Sequence, residues 1–104
     1  MYAVVRTYAD RGASEVFDTI AKLADDVRGL ISGVPGFVSY AAVRTGDGGV
    51  TVTVCRDKAG TDESSRRAAG FLMDKLSTPA DPPTITEGST VLQFEAWDQA
   101  LPVS

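Results

Sequence analysis

Hydrophobic and polar positions change period several times along this chain, and each change marks an element. Tyr2 to Tyr8 is a run of β-branched and aromatic residues closed by Asp10-Arg11-Gly12, which predicts a strand ending in a turn. The period then becomes helical. Val16, Ile20, Leu23, Val27 and Leu30 recur at four-three-four-three spacing, with Phe17, Ala21, Ala24 and Ile31 widening the stripe to about 100° of one helix face. Ser14 or Gly12 can cap the start, Glu15 and Asp18 suit the positive end of the helix dipole, and Gly33 with Pro35 forms a stop. A single helix bounded on both sides is expected.

Period two returns over Phe37 to Arg44 and again over Val50 to Arg56, with Thr45-Gly46-Asp47-Gly48-Gly49 between them, so an antiparallel hairpin is predicted. Gly60-Thr61-Asp62-Glu63 then sets a hydroxyl cap and two acids ahead of a second helix, with Ala68, Ala69, Leu72, Met73 and Leu76 on one side. Gly70 inside that helix costs roughly 1 kcal/mol relative to alanine, so close packing or fraying is expected there. Ser77 to Pro83 reads as an irregular connector. The last strand is placed at about Thr90 to Trp97, with Ile85-Thr86 as a lead-in and Gly88 as a bulge.

Strand, helix, strand, strand, helix, strand is the order of a ferredoxin-like α+β fold: a four-stranded antiparallel sheet with two helices on one face. At 104 residues the chain can bury roughly two thirds of its unfolded surface, enough for one core, so residues 1–104 are read as a single domain. In the third strand the valine phase, Val50, Val52 and Val54, is expected to face the helices, joined by Leu92, Phe94 and Ala96 from the last strand. The opposite face then collects Val38, Tyr40, Ala42, Thr51, Thr53, Cys55, Val91, Gln93, Glu95 and Trp97. The phase of the first strand stays open, because Tyr2, Val4 and Tyr8 compete with Ala3 and Val5 for the interior.

A sheet face carrying valine, tyrosine and tryptophan is too apolar for water, which points to a partner. Hiding about 600 Å² of apolar area per chain at about 25 cal/mol/Å² favours association by about 15 kcal/mol before the costs of binding. A homodimer through the sheet face is therefore expected.

Composition narrows the chemistry. Fourteen acidic residues against ten basic ones leave a net charge of -4, which gives no field to attract phosphate backbones or anionic lipid. Nucleic acid and membrane are not expected partners. No apolar run approaches the ~20 residues of a spanning helix, and the single Cys55 suits a reducing compartment, so a cytoplasmic location is expected. The chain has no histidine, which removes Ser-His and Cys-His activation and imidazole-based metal sites. Asp25-Asp26 lie about 100° apart on a helix and cannot both face one ion, Asp47 sits in a hairpin turn, and Arg66-Arg67 is too short a basic run for nucleic acid; no metal and no cofactor is expected.

At Val34-Pro35-Gly36-Phe37-Val38-Ser39-Tyr40 the chain resembles the antibiotic biosynthesis monooxygenase-like branch of the dimeric α/β barrel superfamily. The resemblance implies homodimers whose sheets pack into a joint barrel. In some members it also implies a pocket between sheet and helices where a polycyclic aromatic substrate is oxidised without metal or flavin. Two departures limit the transfer: Cys55-Arg56-Asp57 stands where many relatives have a tryptophan, and the histidine ligand of haem-degrading members has no counterpart. No catalytic residue carries over.

Arg6, Tyr40, Gln93, Glu95 and Trp97 are the residues expected to furnish polar fittings in an apolar pocket for a small aromatic ligand, although the same residue types also suit an interface. In such a pocket Arg6 would stabilise a phenolate or enolate, Tyr40 or Trp97 would position the rings, and Glu95 would act as a base if burial raised its pKa. Cys55 is read as a small packing residue. The chain is thus expected to be a small-molecule pocket protein similar to cofactor-independent monooxygenases, or else a ligand-binding module without turnover.

Overall fold

The computed structural model describes residues 1–96. Its elements are β1 (Tyr2–Tyr8), α1 (Ala13–Lys22), α2 (Ala24–Ser32), β2 (Phe37–Thr45), β3 (Gly48–Cys55), α3 (Lys58–Lys75) and β4 (Thr84–Ser89). The strands form one antiparallel sheet in the order β2-β3-β1-β4, so β1 and β3 are central, as the ferredoxin-like reading requires. None of the helices among the described residues is long and apolar enough to cross a membrane.

The expected first helix is two helices. It breaks at Leu23 (φ -110°, ψ 37°), whose N–H still bonds Thr19 and whose carbonyl accepts from Val27. The stripe survives the break, with Val16 and Phe17 buried on α1 and Val27 and Ile31 buried on α2. The bend lets α1 lie over β3 while α2 lies over β2. Helix α3 begins earlier than expected, at Lys58, because the Asp57 side chain accepts the Gly60 N–H at 3.0 Å and serves as the cap. Gly60 then becomes a packing position: a Cβ there would stand 2.7 Å from the Pro35 carbonyl and 2.8 Å from Cys55 Cβ. Gly70, where close packing or fraying was expected, is continuous helix with open space around it.

The last strand is also displaced from the expected Thr90–Trp97. Thr84–Ser89 pairs with β1 from Thr7 opposite Thr84 to Tyr2 opposite Ser89, and the Thr90 N–H reaches the Met1 carbonyl at 2.9 Å. Beyond Ser89 the chain leaves the ladder, and Val91, Leu92 and Phe94 are exposed. Gly88 pairs in register with Ala3 and is not a bulge. The register shift lies instead in β2, between Phe37 and Ser39.

The two sheet faces are the reverse of the expected assignment. Val4, Arg6 and Tyr8 of β1 are buried, and they pair with Thr53, Thr51 and Gly49 of β3. Tyr40 and Ala42 share the same side, opposite Thr53 and Thr51. This phase faces the helices: a Cβ on Gly49 would collide with Phe17 of α1, and Arg6 bonds serines of α3. Val50 and Val52 therefore fall on the opposite side together with Ala3, Val5, Ala41 and Val43, and Val54 shares their phase but is buried. The threonine phase is taken inside because its hydroxyls solvate a buried arginine.

The interior has two halves. An apolar half gathers Tyr8, Ala13, Val16 and Phe17, against which Ile20, Leu72, Leu76 and Ala80 pack; the Tyr8 and Phe17 rings meet edge to face at 5.8 Å. The other half is the polar cluster around Arg6.

Candidate functional site

Arg6 is 2% exposed, and its guanidinium bonds only hydroxyls. Nη1 donates to Thr51 Oγ1 at 3.2 Å and Thr53 Oγ1 at 3.1 Å, Nη2 to Ser64 Oγ at 2.7 Å and Ser65 Oγ at 3.1 Å, and Nε to Ser65 Oγ at 3.2 Å. Strand alternation places Thr51 and Thr53 under Arg6, and one turn of α3 lowers Ser64 and Ser65 onto it. No carboxylate pairs with this cation among the described residues. Burial pulls the guanidinium below its usual pKa, while Tyr8, Tyr40 and Cys55 nearby oppose that fall.

Arg6 lies in the wall of a cavity of about 640 Å³. Tyr8 of β1, Ile85 of β4, and Ser65, Leu72 and Met73 of α3 line it together with the connector from Ser77 to Pro83. That connector is fastened to the start of α1. Glu15 accepts from the Ser77 N–H at 3.1 Å and hydroxyl at 2.8 Å, Asp81 pairs with Arg11 at 3.1 Å, and Ala80 lies where a Cβ on Gly12 (φ 84°) would collide. Met73 is 85% exposed because it overlooks this cavity rather than a neighbouring element. The apolar side predicted for the second helix is thus partly a cavity wall.

A narrow second cavity of about 20 Å³ lies among Tyr8, Tyr40, Thr51 and Leu72. A third, of about 320 Å³, opens beside α1 and α2 around Ile20, Phe37 and Tyr40. Burial pushes the Tyr8 and Tyr40 hydroxyls above the usual tyrosine range, against the pull of Arg6, so both are neutral donors at physiological pH. Cys55 is fully buried against Gly60, and burial followed by Asp57 raises its thiol.

Of the sequence-predicted site residues that the structure describes, only Arg6 lines the large cavity. Tyr40 lies within electrostatic range of Arg6 but borders the two smaller cavities. Gln93 donates to Glu95 at 3.2 Å in the segment beyond β4, away from the lining residues. Trp97 lies outside the described residues. Sequence reasoning did not single out Ser64, Ser65, Thr51, Thr53 or Tyr8. The only signal for them was an arginine in the middle of a β-branched strand, which demands buried acceptors once its phase is known.

Chemically, the arrangement can hold a flat apolar molecule with one electron-rich oxygen turned toward the Arg6 cluster. Among the described residues the one carboxylate in the cavity wall, Asp81, is engaged by Arg11. No group of three metal-ligating side chains occurs among the described residues.

No family model matches the chain, and no curated protein does. Solved structures do. A protein of unknown function from Nitrosomonas europaea aligns over 90% of this chain and 91% of its own, at 20% identity and a TM-score of 0.62. A dimeric ferredoxin-like protein from an uncultured marine organism aligns over 90% and 95%, at 13% identity and a TM-score of 0.60. The monooxygenase ActVA-Orf6 of Streptomyces coelicolor, in complex with nanaomycin D, aligns over 90% and 89%, at 19% identity and a TM-score of 0.58. At these identities the likeness is one of fold. The chain shares the ferredoxin-like α+β fold of these structures.

Proposed function

We propose that this chain is a small-molecule pocket protein that acts on aromatic or polyketide-like substrates in the manner of a cofactor-independent monooxygenase. The observation that carries the reading is the cavity of about 640 Å³ with a buried, carboxylate-free Arg6 in its wall. Its size lies within the range of small-molecule sites, and its lining is mostly apolar. A substrate that can lose a proton and pass an electron to oxygen needs its anion stabilised and water excluded; in this reading the Arg6 cluster serves the first task and the proline connector the second. The monooxygenase with nanaomycin D supports the substrate class by fold likeness.

The functional unit in this reading is a homodimer joined through the outward valine face. Support comes from the run of Val5, Val50, Val52 and Val43 on the sheet face that no helix covers among the described residues, and from the dimeric ferredoxin-like neighbour.

A second reading is a module that binds the same ligands without turnover. It is favoured by the lack, among the described residues, of an unengaged carboxylate in the cavity wall. Incubation with hydroquinones and anthrones under air, followed by oxygen consumption, separates the two. Uptake above a heat-denatured control is expected of the oxygenase, and binding without uptake would leave only the module.

A further inference from the structure

We infer that Ser65 is the group that meets the ligand's oxygen in the large cavity, and that the ligand is an aromatic molecule with one acidic hydroxyl, held as its anion. The inference rests on the pocket reading above and deepens it. A guanidinium has five N–H donors, and here all five are directed at hydroxyl oxygens: one from Nε and two each from Nη1 and Nη2. Arg6 therefore has no N–H left for a ligand. Arg6 borders the cavity, so its charge is felt there, but a hydrogen bond to a ligand has to come from one of the hydroxyls around it.

Among those hydroxyls, Ser64 has already given its proton to the Thr61 carbonyl at 2.7 Å. Thr51 and Thr53 do not line the large cavity. Ser65 does line it, accepts two bonds from Arg6, and donates to no acceptor among the described residues. A hydroxyl that accepts from a cation is polarised and donates more strongly, so Ser65 is a prepared donor for an anionic oxygen. The buried cation, in turn, has dipoles around it but no counter-charge among the described residues. An anion beyond Ser65 supplies one in a low-dielectric setting where the attraction is strong. The rest of the wall, with Tyr8, Leu72, Met73, Leu76, Pro83 and Ile85, suits flat rings and no second charge. Ser65 is thus the binding group, and Arg6 is the positioning residue acting through it.

The test uses 4-nitro-1-naphthol, whose neutral and ionised forms differ in colour, and its methyl ether, which cannot ionise. The wild-type protein is expected to bind the naphtholate in preference, lowering the probe's apparent pKa by about one unit, a tenfold effect. Ser65→Ala is expected to abolish most of that shift while the ether binds as before, and Ser65→Thr to restore it. Ser64→Ala removes an acceptor from Arg6 but no cavity hydroxyl, and is expected to keep the shift. Ether and naphthol bound equally well, or a shift that survives Ser65→Ala, overturns the inference and leaves the pocket reading standing. Binding of neither probe overturns both.

Discussion

The two faces of this sheet differ in the opposite sense from their apparent hydrophobicity. The face turned toward the helices carries Arg6, Thr51 and Thr53, whereas the face turned away carries Val5, Val50, Val52 and Val43. A face is not assigned to the interior by its count of apolar atoms alone. The inner face tolerates its polar residues because every buried donor on it has an acceptor, and among the described residues no buried side-chain polar atom lacks a partner. Among the described residues no helix covers the outer face, and in the proposed homodimer a second copy covers its valines.

The comparison breaks most visibly on the outer face. Val52 sits between Val5 and Ala41 at the centre of that face. A carboxylate there places two charges in a dry contact, so Val52→Asp is expected to turn a dimer of twice the 10.9 kDa chain mass into a monomer in sedimentation at micromolar concentration. A wild-type monomer would remove the outer-face half of the account. Next in size is the apolar half of the inner face. Phe17 is 4% exposed and stacks edge-on with Tyr8, so Phe17→Ala is expected to cost about 3–5 kcal/mol in denaturant unfolding.

The polar half should respond differently. Arg6→Met removes a buried charge that has no counter-ion and keeps most of the volume, so stability is expected to change by less than about 2 kcal/mol while preference for anionic ligands is lost. A much larger destabilisation would make the arginine a structural tie rather than a site. The smallest effect is on the surface. Arg66 and Arg67 hold the Glu63 carboxyl at about 2, below the usual 4.5. A depressed carboxylate stabilises above its unfolded pKa and loses that contribution as pH falls toward its folded pKa. The gap in Tm between wild type and Glu63→Gln should therefore be full above pH 4.5 and close as pH approaches about 2.

The element order, the hairpin and the overall fold were legible because strand and helix periods are local. The break at Leu23 was not, since no glycine or proline marks it and it exists to let two helical segments rest on different strands. Strand β4 was missed for a related reason. Thr84–Ser89 is an edge strand of mostly exposed residues held by backbone pairing, while the apolar run after it lies past the end of β1. The phase of β3 reads the wrong way round from sequence, because its valines outweigh its threonines in hydrophobicity and nothing local shows that Arg6 draws the threonines inward. Arg6 was recognisable as chemistry-bearing, but Ser65 looks like a solvated helix residue until α3 is seen resting on Arg6.

The most direct measurement of the central claim is the side-chain Nε–H resonance of Arg6 in a nitrogen-proton correlation spectrum of the labelled protein. With its N–H bonded to Ser65 in a cavity wall, that proton is expected to be protected from solvent exchange at neutral pH and to shift when 4-nitro-1-naphthol is added. A freely exchanging Arg6 Nε–H, or naphthol-induced shifts confined to the outer valine face, would contradict it.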